Sequence, residues 1–228
     1  CFCMTYGDGS IFRTLTSLDV AGHEMAHGVT SHTANLTYAG ESGGLNESMS
    51  DINGTMVEFY ARGGSGSTIG NTGGNWLIGD QLSATPLRYM YKPSKDGGSP
   101  DAWSSSIGSL DVHYSSGPNN RMFFFLSQGA SATSSSDYYS SYTPSGFTGI
   151  GLEKAVRIWY RALANYLTSS SNYAAARAAC ISAAKDLYGA GGAGVRAMTF
   201  TSSPVIPRVR VPPVASIVAI SRSPDLVG

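Results

Sequence analysis

The sequence predicts a mainly α fold, and three observations predict it. Apolar residues recur at helical spacing through 18–33, 41–60, 151–166 and 172–188. Two of those runs carry helix punctuation, Thr16-Ser-Leu-Asp19 ahead of the first and Gly63-Gly64 behind the second. The 228 residues are 42% hydrophobic, enough for one or two compact domains with a core of their own.

In chain order, Tyr6-Gly-Asp-Gly-Ser10 reads as a turn between short β-like pieces. It is not a phosphate loop, because no G-x-G-x-x-G or G-K-S/T follows. Thr16 then supplies an N-cap with an acid three positions on, and the first helix is expected from about Leu18 to His32 or Thr33. A short connection holding Tyr38 leads to a second helix from about Glu41 to Tyr60. Residues 63–85 are rich in Gly and Ser and form a long loop, a feature that usually carries function or binds an ion. A third helical segment, Asn119 to Gly129, is rich in Phe and Leu and reads as core, and 131–149 reads as a Ser/Tyr/Gly loop. Helix, polar turn and helix follow over 151–188. Beyond Gly189, five prolines from Pro204 to Pro224 exclude a helix and interrupt a β-branched stretch ending in Val214–Ile220.

Charge narrows the function classes. Lys+Arg and Asp+Glu both number 15, so nothing marks a nucleic-acid or membrane partner, and no apolar run reaches the 18 residues of a membrane span. Charged residues make up only 13%, beside abundant Gly, Ser and Tyr, a balance that fits secreted enzymes. A secreted form is expected to carry its targeting segment ahead of Cys1. The three cysteines, Cys1, Cys3 and Cys180, are too few and too scattered for a disulfide framework.

The chemistry centres on His23-Glu24-Met-Ala-His27. Residues i and i+4 of a helix lie one turn apart on one face, so both imidazoles can reach one metal ion while Glu24 flanks it. A catalytic zinc takes three protein ligands, with nitrogen roughly 2.0–2.1 Å away, and keeps an open position for water. Glu47 is the best third ligand, on the next helix and flanked by Asn46 and Asp51. Glu47, Asp51 and Glu58 share nearly one helix face among Ile52, Met56 and Val57, an unusual row of acids in an apolar setting. Asp111-Val-His113 places a second acid beside a histidine, whereas His32 reads as a solvated helix-end residue.

Three segments, His23–Thr30, Gly44–Asp51 with Gly54 and Glu58, and Asp111–Gly117 with Asn120-Arg121, resemble the thermolysin-like zinc metallopeptidases. These are secreted endopeptidases that include thermolysin and the pseudomonad elastase type of neutral protease. With the helices of 151–188 the resemblance covers roughly residues 4–190. It implies the C-terminal helical domain of such an enzyme with its active-site helix, most of the N-terminal β-rich domain being absent. The implied division is 1–33 as a remnant of that domain plus the active-site helix, 34–190 as the helical catalytic domain, and 191–228 as an atypical Pro-rich tail.

Residue by residue, the resemblance implies zinc on His23, His27 and Glu47, with Asn46 and Asp51 fixing the imidazoles. It makes Glu24 the general base, His113 and Tyr38 the donors to the developing oxyanion, and Asp111 the group that orients His113. Arg88 matches the arginine that holds a substrate carbonyl, and Val20, Ile78 and Leu87 match the pocket for a large apolar side chain. Cleavage before Leu, Phe, Ile or Val follows. Asp19, Glu58, Asn75, the Leu77 carbonyl and Asp80 fall where the family binds structural calcium; Leu77 replaces an acid, so one calcium is expected. A cysteine partner for Cys180 would lie in the family's closing helix, which the proline-rich tail does not match. The implied partners are protein or peptide substrates, with the chain acting as a secreted, extracellular monomer. Two other readings stand beside this one: a catalytically inactive zinc-binding fragment, and a non-peptidase protein with structural zinc.

Overall fold

The computed structural model describes Met4, Tyr6, Gly9 and residues 16–71 and 73–196. The expectations for Cys1, Cys3, most of the 6–10 turn and the tail beyond Arg196 lie outside the described residues.

Helix α1 (Leu18–Ser31) and helix α2 (Gly40–Gly63) form the centre. Residues 43–52 of α2 are buried without a break, so this stretch of the helix is enclosed on all sides. Its first turn carries Glu41 and its last Arg62, charges that oppose the helix dipole. Glycines set the crossing with α1. A Cβ at position 54 would lie 2.1 Å from the Asp19 carbonyl oxygen, and one at Gly22 would meet the Gly54 Cα at 3.0 Å. The two backbones therefore approach as closely as hydrogen atoms allow, bringing the polar side chains flanking the crossing into mutual reach.

Short strands β1 (Leu77–Ile78) and β2 (Arg88–Tyr89) pair antiparallel, with Ile78 opposite Arg88. Trp76 packs on Phe59 of α2, ring centroids 5.4 Å apart, and edge-on to Phe124 at 5.1 Å. Those contacts pin the 63–85 loop against the core just where it runs past Glu58. Helices α3 (Val112–Ser115) and α4 (Gly117–Gln128) follow, then strands β3 (Gly129–Ala130) and β4 (Phe147–Thr148). Helices α5 (Leu152–Asn165) and α6 (Tyr173–Tyr188) close the described fold. Helix α5 buries Leu152, Ala155, Ile158, Trp159, Ala162 and Leu163, one face at helical spacing. Helix α6 answers with the small residues Ala176, Ala179, Ala183 and Ala184, and Asn172 caps it by accepting from the Ala175 N–H at 2.9 Å.

The fold is mainly α, as the periodicity predicts, and the local details differ in three places. The α1 N-cap is Ser17, not Thr16, and it makes no side-chain cap bond. Asp19 turns away to accept the Gly79 N–H at 2.5 Å. The third helical segment begins earlier, as α3 and α4 joined at Ser116, because Asp111 accepts from the His113 N–H and starts a turn there. Finally, each predicted loop contributes one strand, Leu77–Ile78 or Phe147–Thr148, to a two-residue ladder too short for any sequence period.

Candidate metal centre

Two helical ladders face each other across the α1–α2 crossing. His23 and His27 stand one turn apart on α1; Asn46 with Ser50 and Glu47 with Asp51 stand one turn apart on α2. Each imidazole is held from behind. His23 Nδ1 donates to Asp51 Oδ1 at 2.8 Å, and His27 Nδ1 donates to Asn46 Oδ1 at 2.8 Å with Ser50 Oγ at 3.1 Å. With protons on both Nδ1 atoms, both Nε2 lone pairs face the same point.

That point also faces Glu47. The two Nε2 atoms are 3.2 Å apart, His23 Nε2 lies 3.4 Å from Glu47 Oε2, and His27 Nε2 lies 3.5 Å from Glu47 Oε1. Ligands about 2.05 Å from a tetrahedral centre are separated by about 3.3 Å, so the triangle suits zinc. Glu47 is fully buried, and its Oε2 has no hydrogen-bond partner. A buried unpartnered carboxylate oxygen beside two imidazole nitrogens is what a cation would satisfy. Among the described residues this is the one group of three or more such side chains with ligand atoms converging within 4.8 Å.

The surrounding charges are tightly coupled. Asp51 accepts from His23, from Arg88 Nε at 2.8 Å and Nη2 at 2.7 Å, and from Asn120 Nδ2 at 2.7 Å. Burial alone would raise its pKa, but the Arg88 charge and the His23 bond hold it well below the usual carboxylate range. Burial would lower His23, and its bond to Asp51 and the neighbouring Glu47 carboxylate instead raise it to about 9. Burial likewise pushes Glu47 up, while His23 and the Tyr38 hydroxyl draw it down further.

The cleft residues gather on one side. Tyr38 donates its hydroxyl to Glu47 Oε1 and lies 3.3 Å from His113 Nε2. His113 Nε2 is 3.6 Å from Glu47 Oε1, and its Nδ1 is 2.7 Å from Asp111 Oδ1. Burial, and then the Glu47 carboxylate, push the Tyr38 hydroxyl upward, so it remains a donor at neutral pH. Glu24 is exposed beside His23. Arg88 spends two of its nitrogens on Asp51, and Val20 and Ile78 are buried in the core, while Leu87 is exposed over Gly79.

Residues 34–202 match the family model of the thermolysin metallopeptidase α-helical domain, and residues 2–31 match that of the thermolysin metallopeptidase catalytic domain. The chain belongs to the thermolysin metallopeptidase family. It is 50% identical over 196 residues to a transglutaminase-activating metalloprotease of Streptomyces mobaraensis, covering 83% of this chain and 25% of that protein. Thermolysin of Alicyclobacillus acidocaldarius is 42% identical over 193 residues, 80% of this chain and 32% of the relative. The solved precursor of protealysin, a metalloproteinase from Serratia proteamaculans, superposes with a TM-score of 0.64 at 27% identity, over 86% of this chain and 59% of that one. The chain thus spans a quarter to a third of the length of these two curated relatives. Among the described residues no helix is long and apolar enough to cross a membrane.

The residues expected to bind calcium, Asp19, Glu58, Asn75, Leu77 and Asp80, lie on the other side of the crossing, and their carboxylates do not form a converging group of the kind seen at His23, His27 and Glu47. Asp19 is fully buried, with Oδ2 on the Gly79 N–H and Oδ1 unpartnered; Asp80 Oδ1 is buried and unpartnered too. Glu58 receives the Asn75 N–H on Oε2 at 3.4 Å. Burial raises its pKa, and the Asp19 and Asp80 charges add to the rise. Asn75 Oδ1 is taken by the Leu77 N–H at 2.8 Å, and its Nδ2 donates to Asp80 Oδ2 at 2.9 Å.

Three contributors were given no role in the sequence reading. Ser50 shares His27 Nδ1 with Asn46, and their i,i+4 spacing on α2 was the available signal. Arg62 pairs with Glu58 at 3.0 Å, again i,i+4. Asn120, on α4, reaches Asp51 across 69 residues of sequence, a partner that no local spacing reveals.

Proposed function

We propose that this chain is the zinc-binding part of a secreted zinc endopeptidase that hydrolyses peptide bonds before large hydrophobic residues. The observation that carries the reading is the triangle of His23 Nε2, His27 Nε2 and the unpartnered Glu47 Oε2. A zinc ion held there supplies an acidified water and a Lewis acid for the scissile carbonyl. Asn46 and Asp51 keep both imidazoles in the tautomer the ion requires. Glu24, exposed next to His23, takes the proton of the attacking water and returns it to the leaving nitrogen. His113 and Tyr38, 3.3 Å apart, donate to the carbonyl oxygen as it becomes negative, worth about 3–4 kcal/mol for each donor removed. Asp111 orients His113 through Nδ1. Arg88, with Nη1 free of protein partners among the described residues, holds a substrate carbonyl, and Val20, Ile78 and Leu87 shape the pocket for Leu, Phe, Ile or Val. One structural calcium on Asp19, Glu58, Asp80 and the Leu77 carbonyl, with Asn75 beside it, completes the site, and the chain acts as a monomer.

The test is hydrolysis of a blocked peptide with Leu after the scissile bond, with and without 1,10-phenanthroline, beside Glu24→Ala. Cleavage lost to chelator and to that substitution supports the reading. Stoichiometric zinc with no cleavage in any form replaces it with an inactive zinc-binding fragment.

A further inference from the structure

Helix α4 opens with Asn119 and Asn120, both fully buried. Asparagine is a poor helix former, and its amide is costly to bury without bonds, so the pair needs partners. Ser48 of α2, also fully buried, stands between them. Asn119 Nδ2 donates to Ser48 Oγ at 2.8 Å, Ser48 Oγ donates to Asn120 Oδ1 at 2.7 Å, and Asn120 Nδ2 donates to Asp51 Oδ2 at 2.7 Å. The last member sets the direction of this chain. An ionised Asp51 can only accept, so Asn120 must turn its amide nitrogen to it, and Ser48 must donate to the amide oxygen that remains. Asn119 follows, and its own Oδ1 is left buried without a partner.

We propose that Ser48 and Asn120 are positioning residues for His23, a buried relay that fixes Asp51 to α4 independently of Arg88. The inference rests on the zinc reading above and adds what holds the His23 side of it. Asp51 accepts four hydrogen bonds, which fill both its oxygens: His23 Nδ1 and Arg88 Nη2 on Oδ1, Arg88 Nε and Asn120 Nδ2 on Oδ2. Arg88 stands on the two-residue strand β2, partly exposed, and is the arginine proposed to hold a substrate carbonyl. Asn120 stands on a 12-residue helix and is fully buried. When Arg88 engages a substrate, the Asn120 bond keeps the carboxylate, and through it the His23 ring, in place.

The experiment is competition titration of the full chain with zinc against a chromophoric chelator, for the parent chain, Ser48→Ala, Asn120→Leu and the double variant, with visible spectra of the cobalt(II) forms alongside. Asn120→Leu keeps the volume and removes the donor. It is expected to bind zinc about tenfold more weakly, the low end for losing such a partner, and to shift the cobalt bands as the His23 ring turns. Ser48→Ala, the milder change, loses about threefold. The double variant loses no more than Asn120→Leu alone, because both groups act through one bond to Asp51. Leu163→Val, a core change on α5 outside the relay, leaves zinc affinity and cobalt spectrum at parent values. Parent-like affinity in both single variants, losses that add in the double variant, or an equal loss in Leu163→Val overturns the relay alone. If Asn120→Leu does not fold, Ser48→Ala carries the test, and parent affinity and spectrum in it overturn the relay. No zinc bound by the parent chain overturns the zinc reading and the relay with it. None of these readouts depends on peptidase activity.

Discussion

The same two helices build two very different polar sites, one on each side of the Gly22–Gly54 crossing. On the side of His23, His27 and Glu47, the atoms facing away from the centre are held by protein: Asp51, Asn46 and Ser50 hold the imidazoles, and Arg88 and Asn120 hold Asp51. On the side of Asp19, Glu58 and Asp80, burial and then the two aspartates raise the pKa of Glu58, and the buried Asp19 Oδ1 and Asp80 Oδ1 lack a partner. The first site is organised by protein groups alone, as the proposed zinc centre requires. On the second side the Asp19 and Asp80 charges raise the pKa of Glu58 instead of holding it down. Burial is similar on both sides, so the difference lies in the sign of the neighbours.

Replacing one carboxylate by its amide on each side should therefore give opposite results, and the first is the largest effect expected. Asp51→Asn leaves Arg88 and His23 buried without their anion and should cost about 3–5 kcal/mol in urea unfolding of the chelated protein. Asp80→Asn under the same conditions removes a like charge from Glu58 and should be neutral or stabilising by up to about 1 kcal/mol. If the two variants lose comparable stability, the contrast between the sites is wrong.

Gly54→Ala attacks both sides through the backbone. The added methyl would sit 2.1 Å from the Asp19 carbonyl and 3.0 Å from the His23 amide nitrogen, atoms that cannot rotate away. A cost of about 1–3 kcal/mol is expected from the forced separation of the helices. Zinc and calcium affinities, read by titration of the same sample, should both fall. A loss confined to one ion would show that the crossing does not couple the sites.

How far the sequence reached depends on whether the cause was local. Helices α1, α2, α5 and α6 announce themselves through apolar spacing and glycine stops, because those signals act within a few turns. The convergence of His23, His27 and Glu47 was legible for the same reason, two histidines on one helix face and a glutamate in an acid row set among apolar residues. Arg88 shows the limit. Its charge is plain in the sequence, but its bidentate hold on Asp51 spans 37 residues and depends on how β2 sits against α2. The N-cap of α1 failed likewise, since the Gly79 N–H draws Asp19 into the acidic cluster. A tertiary partner overrode a local preference.

Proton linkage offers a smaller and sharper contrast in the metal-free protein. Asp51 has its folded pKa depressed, so the stability it adds is present above its ordinary value, near 4, and is lost as the pH falls below it. Glu58 has its folded pKa raised, so its contribution is present below the ordinary glutamate value of about 4.3 and is lost as the pH rises through the raised one. Thermal unfolding from pH 3 to 7 in EGTA should thus show Asp51→Asn flattening the acid limb. Glu58→Gln should flatten the loss on the neutral side. The same limb responding to both variants would contradict the opposite signs.

The smallest effect separates two hydrogen bonds on one nitrogen. His27 Nδ1 meets Asn46 Oδ1 at 2.8 Å and Ser50 Oγ at the longer 3.1 Å. Asn46 is itself anchored, donating its Nδ2 to the Leu36 carbonyl at 2.9 Å, and so holds the imidazole in a fixed direction. Asn46→Ala should weaken zinc by about 10- to 100-fold, the usual cost of losing such a partner. Ser50→Ala removes the more distant acceptor and leaves the anchored one, so a loss of no more than about fivefold follows, near 1 kcal/mol. Competition titrations with a chromophoric chelator would resolve that difference. A greater loss from Ser50→Ala than from Asn46→Ala would make the hydroxyl, not the amide, the group that aims His27.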